Sequence, residues 1–265
     1  LRGKEMVKLE KIKDERKKNK LVLLVKSSDE VFVNTIRRLI LEEVPTLAVE
    51  DLEVKDNSSA LYDEMLALRL GLTPIKTDLK SYVLKESCKC AGAGCAQCEL
   101  KITLKAGKKG YVYAEEAQST DPDCIFVYPK MPIVKLLPKQ RLDVTMTAIL
   151  GRGREHAKWS PGLAFYRQEP VIKIAGTVEN AEEVAKACPI GVLEQKGKSL
   201  IVNKDKLYDC HECQQCVDLS KNITFEESGN YIFTLESWGQ LSCKEILSKS
   251  AEILLEKTEE MEKLI

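Results

Sequence analysis

Apolar residues follow two rhythms along this chain, and each rhythm predicts a different element. A continuous apolar run at residues 21–25 (LVLLV) and alternating stretches at 101–105, 142–150 and 231–236 have the period of two expected of β-strands. Elsewhere the spacing is helical: Val33, Ile36, Ile40 and Val44 recur on one face, widened by Phe32 and Leu39. Ser27, Ser28 and Asp29 supply capping side chains before that helix, and Pro45 stops it. A second helix starts near Ser242, where Leu247, Ala251, Leu254, Thr258, Met261 and Ile265 alternate by four and three between Glu and Lys residues. Residues 11–20 are rich in Lys and Arg but interrupted by Asp14 and Glu15, which suits a solvated hairpin between two strands. Residues 180–187 read as a short helix with a turn at Cys188-Pro189, and 196–199 as a hairpin turn into a strand at 200–203. The mixture predicts an α+β protein without internal repeats.

At 265 residues the chain has room for roughly two domains. It carries 41 Lys and Arg against 41 Asp and Glu. That zero balance argues against nucleic-acid binding through a basic surplus, so no direct nucleic-acid contact is expected. With 44% hydrophobic residues it can bury a core, yet no run approaches the ~18 apolar residues of a membrane span. The opening LRGKEMVKLE has charges where a secretory signal needs its apolar stretch. A cytoplasmic location is expected, and Leu1–Glu5 reads as an extension upstream of Met6.

Ten cysteines in such a chain demand an account, and eight of them fall into two groups of four. Cys210, Cys213 and Cys216 lie at i, i+3 and i+6, the spacing with which a tight loop wraps three corners of an iron–sulfur cluster. In two-cluster ferredoxins each half reads C-x2-C-x2-C-x3-C-P, the last cysteine serving the other half's cluster. Cys188-Pro189 matches that last position, while Val178, Ala181, Val184 and Ser220 stand where the second cluster's four ligands would be. The segment therefore resembles a ferredoxin that kept one cluster, [4Fe–4S] or [3Fe–4S], on Cys188, Cys210, Cys213 and Cys216. A four-cysteine zinc site or free thiols are the other readings, disfavoured because zinc sites usually use two separated C-x2-C pairs. His211 is not needed as a ligand. Cys88, Cys90, Cys95 and Cys98 form a C-x-C-x4-C-x2-C knuckle in which Gly92 and Gly94 relax the backbone. Structural zinc is its natural occupant, against a pair of disulfides or an empty reduced loop.

Catalytic constellations are scarce. His156 and His211 are the only histidines, there is no phosphate-binding glycine loop, and Asp63-Glu64 would point about 100° apart on a helix. No catalytic residue is assigned. A free-standing ferredoxin-like electron carrier and an assembly subunit stapled by metals remain as competing classes.

Three longer motifs separate them. FVNTIRRLILEEVP (residues 32–45), NSSALYDEMLALRLGLTP (57–74) and GREHAKWSP (153–161) resemble the RNA polymerase α-like family, and the ferredoxin-like insert narrows the resemblance to its archaeal, iron–sulfur-containing type. Leu68 and Thr73 depart from the family's usual His and aliphatic residue. The resemblance implies a discontinuous dimerisation domain at 1–46, 146–178 and 223–265, an inserted mainly-β domain with the cysteine knuckle at 47–145, and a ferredoxin-like domain at 179–222. It implies a non-catalytic platform that heterodimerises with a small subunit L and then receives subunits N, P and B, the last being the large one, of a nucleotidyltransferase. Interface residues on this reading are Phe32, Ile36, Ile40, Leu247, Leu254 and Met261, with Arg37 and Arg38 contacting the large subunit. The cluster is expected to staple a small domain, with redox regulation of assembly as the other reading.

Overall fold

The computed structural model describes residues 6–197 and 199–264; the expectations for Leu1–Glu5, for Lys198 in the hairpin turn and for Ile265 in the last seam lie outside them. In chain order the elements are β1 (Lys8–Glu15), β2 (Lys20–Lys26), α1 (Glu30–Glu42), β3 (Thr46–Asn57), α2 (Asp63–Gly71), β4 (Leu100–Ala106), β5 (Gly110–Tyr113), β6 (Ala117–Ser119), β7 (Pro132–Leu136), β8 (Leu142–Gly151) and β9 (Gly162–Ile174). They continue with α3 (Ala181–Ala187), β10 (Leu193–Lys196), β11 (Ser199–Val202), α4 (Gln215–Leu219), β12 (Ile223–Ser237) and α5 (Cys243–Glu262).

The chain divides into two units. One gathers residues up to Asp14, Val22–Asn34 and Phe165–Thr234; the other holds Glu15–Leu21, Thr35–Ala164 and the chain from Leu235 onward. Most of a four-stranded sheet in the order β1-β2-β12-β9 belongs to the first unit. Beside it the β10–β11 hairpin, α3 and the start of β12 bury a small core of Val178, Ala181, Val184, Leu193, Leu200 and Ile223. That core is slight, as expected for a domain of this size.

The second unit carries the larger core. Its sheet runs β3-β8-β4-β6, and β8 is paired along its length with β3, from Thr46↔Gly151 to Asn57↔Leu142, and over its first seven residues with β4, from Leu100↔Ala148 to Ala106↔Leu142. Val144, Met146 and Ala148 are fully buried there, because the alternation read from the sequence turns one face of a central strand inward. The boundary at 145 falls inside this strand, which runs unbroken to Gly151. A separate two-stranded ribbon pairs β5 with β7.

The helix caps follow the sequence reading. Asp29 Oδ1 accepts the Phe32 N–H at 2.7 Å, and α1 ends at Glu42, three residues before Pro45. Ser242 and Glu245 form a reciprocal capping box at the start of α5, with Glu245 N–H to Ser242 Oγ at 3.3 Å and Ser242 N–H to Glu245 Oε2 at 2.8 Å. The buried face of α5 is not the expected seam but its neighbour: Ile246, Ser250 and Ile253 are buried, whereas Leu247 and Leu254 are half-buried and Ala251, Thr258 and Met261 exposed. Ser250 Oγ donates to the Leu247 carbonyl at 2.8 Å, so a hydroxyl sits in the core at no cost in unmet hydrogen bonds. Thr73 is similarly settled: it is buried, and its hydroxyl donates to the Arg69 carbonyl at 2.7 Å.

Candidate metal centres

Four thiols converge in the loop after the 3-10 turn Lys85–Ser87. Ala91, Gly92 and Gly94 all adopt positive φ (51°, 84° and 90°), folding the chain tightly enough to bring all four sulfurs within 4.8 Å of one another. Cys88 and Cys95 Sγ are 3.5 Å apart, Cys90 and Cys98 3.6 Å, and Cys95 and Cys98 3.8 Å. A disulfide needs about 2.05 Å, so these are not bridges. Four sulfurs ~2.3 Å from one tetrahedral ion would be ~3.8 Å apart, which the observed spacing matches. The Cys95 N–H also points at Cys98 Sγ, 3.3 Å away. Within the quartet the thiols are driven apart: the Cys88 side chain, donating to Cys90, brings that thiol down to about 6, while burial pushes Cys98 up to about 12. Such a cluster can bind a metal ion, whose charge would hold all four as thiolates.

The second quartet is organised differently. Cys188 ends α3, Cys210 follows the 3-10 turn Leu207–Asp209, and Cys216 lies in α4. Glu212 and Gln214 take positive φ (52° and 61°) on either side of Cys213, which carries the loop round. All four cysteines line a single cavity together with Ile172, Ile190, Val192 and Phe225, and Cys213 lies on its exposed side. Backbone N–H groups are aimed at the sulfurs: Val192 to Cys188 Sγ at 3.2 Å and Glu212 to Cys210 Sγ at 3.5 Å. Burial alone would raise the Cys188 thiol, but N–H groups at Leu193, Val192, Ile190 and Gly191 outweigh it and bring the value below the usual range. Cys210 and Cys216 are pushed up, chiefly by burial. His211 also lines the cavity while remaining exposed. One residue the sequence reading missed is Arg167 on β9, whose guanidinium reaches the Cys210 and Tyr208 carbonyls.

Of the remaining site candidates, Phe32 and Arg38 are exposed, Ile36 and Arg37 half-buried, and Arg38 pairs with Glu42 one turn on, at 3.1 Å. Ile40 is completely buried in its own chain, so on α1 it backs the exposed face and does not present itself to a partner. His156 is a local structural residue: its Nδ1 accepts the Lys158 N–H at 3.0 Å. Asp63 Oδ1 accepts from Asn57 Nδ2 at 2.7 Å in the turn before α2. Tight packing marks the 153–161 motif, since a Cβ on Gly153 would lie 1.9 Å from the Leu41 carbonyl oxygen.

Known proteins give this arrangement its context. Residues 52–162, which take in the second half of β3, the strands β4, β6 and β8 and the knuckle, match the RNA polymerase Rpb3/RpoA insert domain. The DNA-directed RNA polymerase subunit Rpo3 of Methanosphaera stadtmanae is 37% identical over 258 residues, covering 92% of this chain and 94% of that protein. The protein of the same name from Methanosarcina acetivorans is 38% identical over 239 residues (87% and 88% coverage), and that of Archaeoglobus fulgidus 34% over 252 (95% and 96%). With such similarity running almost end to end, the chain belongs to the archaeal Rpo3 family of DNA-directed RNA polymerase subunits, within the wider Rpb3/RpoA group.

Proposed function

We propose that this chain is a non-catalytic platform on which an archaeal RNA polymerase is assembled in the cytoplasm, the whole enzyme being a nucleotidyltransferase. The observation that carries the reading is similarity to Rpo3 proteins over 92% of the chain. A ferredoxin acting alone finds no support, because the cysteine-bearing 188–216 segment is a minor part of that similarity. On this reading α1 and α5 dock the small subunit L through Phe32, Ile36, Leu247, Leu254 and Met261. Subunits N, P and B follow, with Arg37 and Arg38 turned toward B.

Both quartets act as staples. The sulfur spacing of Cys88, Cys90, Cys95 and Cys98 favours one zinc ion, which would tie a loop with no apolar core of its own. Cys188, Cys210, Cys213 and Cys216 would hold one iron–sulfur cluster, since four thiols around one apolar cavity, outside the close grouping of a single-ion site, suit a larger inorganic core. When bound, that group supplies metal–sulfur bonds that lend folding free energy to the small Val178–Ile223 core. The protein's part is to gather the sulfurs around one cavity, with Cys210 buried and Cys213 exposed, and to aim the Val192 and Glu212 N–H groups at Cys188 and Cys210.

Co-expression with a candidate subunit L, followed by light scattering and anaerobic metal analysis, tests the reading. A one-to-one heterodimer holding iron and zinc is expected; a monomer indifferent to L would overturn it. If a Cys213→Ser chain lost its iron yet stayed folded and assembled normally, the staple role would fall while the platform role stood.

A further inference from the structure

The neutral net charge conceals a local surplus. Residues 105–113 carry three cations and 124–142 carry four, with no acidic residue in either stretch. Pairing brings the two stretches together: β5 runs antiparallel to β7 with Gly110 opposite Leu136 and Tyr111 opposite Lys135. Lys108 and Lys109 therefore flank the same end of the ribbon as Lys139. Arg141 joins them, its Cγ only 3.9 Å from where a Gly107 Cβ would be. Val112, Val134 and Leu136 turn inward, so the outer face is left to Lys108, Lys109, Tyr111, Lys135, Lys139 and Arg141, all exposed. Lys105 is neutralised by Asp143 at 3.1 Å, and Asp56 lies in the same concavity as Arg141. Among the described residues, no ion pair joins Lys108, Lys109, Lys135, Lys139 or Arg141 to a carboxylate.

We propose that this β5–β7 face is a docking surface for the phosphate backbone of duplex DNA, a contact beyond the assembly role and contrary to the expectation drawn from net charge. Its five cations, four lysines and one arginine, are exposed and carry no carboxylate partner among the described residues, and such a cluster of unpaired positive charge complements a row of backbone phosphates. Lys135 Nζ sits 5.3 Å from the Tyr111 ring centroid, within cation–π range, which holds that ammonium on the outer face of the ribbon. Cations of this kind meet the phosphate backbone, a contact that positions the partner without sequence choice. Membership of a DNA-directed polymerase family makes duplex DNA the polyanion always at hand.

The test is binding of the full-length chain to a fluorescent 30-base-pair duplex of arbitrary sequence between 50 and 200 mM KCl. Replacing Lys108, Lys109 and Lys139 by Gln should shrink the slope of log K against log salt by about 2.7, equivalent to about 40-fold less salt sensitivity over that range. Replacing the same three by Arg should restore wild-type binding, which separates charge from folding. A control with Lys196, Lys204 and Lys221 changed to Gln should bind like wild type. Equal losses in patch and control variants would overturn the proposal. So would tighter binding to polyglutamate than to DNA of equal charge, which would mark a surface for an acidic protein. None of these readouts depends on subunit L, so the assembly reading survives any of them.

Discussion

Arg167, in the middle of β9, donates from Nη1 to the carbonyl of Cys210 and from Nη2 to that of Tyr208, forty-odd residues away along the chain. Lys13 adds a paired contact to the adjoining Asp209, at 2.8 and 3.1 Å, so the first arm of the cysteine loop is tied to the strands beneath it by two cations. A charged donor to a carbonyl is worth about 1.5–3 kcal/mol. Arg167→Gln should therefore lower stability by about 2–3 kcal/mol and hasten iron loss to a chelator under anaerobic conditions. Iron retention indistinguishable from wild type would mean that the clamp does not serve the loop.

At the knuckle, Cys98→Ser should bring zinc from about one ion per chain to about none, since a structural site closes with all four ligands. Metal analysis of the purified chain checks this, with chelator treatment of wild type expected to lower its melting temperature to that of the variant. The iron content should stay unchanged, because the two quartets share no cysteine.

Acid should loosen the start of α5. Glu245 is held below the usual glutamate range, first by the Ser242 hydroxyl and then by the Ser242 N–H. A lowered folded value means that the capping box contributes fully above the unfolded value and is lost as pH falls through the folded one. Ser242→Ala should cost about 1 kcal/mol at pH 7, and in urea titrations the difference from wild type should shrink as Glu245 protonates below the usual glutamate range, down to the part owed to the Glu245 N–H to Ser242 Oγ bond, which does not titrate. A pH-independent difference would show that the carboxylate has no part in the cap.

Gly153 admits no side chain. With the Leu41 carbonyl oxygen 1.9 Å from where a methyl carbon would sit, Gly153→Ala must push the 153–161 loop off the end of α1, at a cost of about 1–3 kcal/mol. A shift in the denaturation midpoint reads this directly.

The two faces of α5 should answer differently to substitution. Ile253→Ala empties part of a buried site and should destabilise the chain by about 2–5 kcal/mol. Met261→Glu, on the exposed seam, should leave the melting curve in place and weaken heterodimer formation, measured by titration against subunit L. The reverse pattern would move the docking face elsewhere.

What could be read from the sequence was what local chemistry dictates. Asp29 and Ser242 cap because short oxygen-bearing side chains satisfy free N–H groups, and the quartets announce themselves by spacing. β3 was missed because only its first four residues are buried; Glu50, Asp51, Glu53 and Asp56 make the remainder look like a loop. The true inner face of α5 was hidden by Ser250, a polar residue that becomes acceptable in a core only through its bond to the Leu247 carbonyl. Arg167 could not have been singled out, since its partners lie too far along the chain to leave a periodic trace. The basic ribbon was obscured for another reason: summing charge over the whole chain erased it.

The strand order β1-β2-β12-β9 has a consequence for biosynthesis. The strand that joins β2 to β9 is Ile223–Ser237, so the first strands wait unpaired on that side until the chain has emerged from the ribosome through Ser237. Meanwhile the β3-β8-β4-β6 sheet is complete by Gly151 and can mature early. Closure of the other sheet is then a late, long-range step of the slow kind. During that interval Leu23, Leu24 and Val25, buried in the finished molecule, are open to wrong partners. A cell making this chain would have reason to supply the correct one promptly.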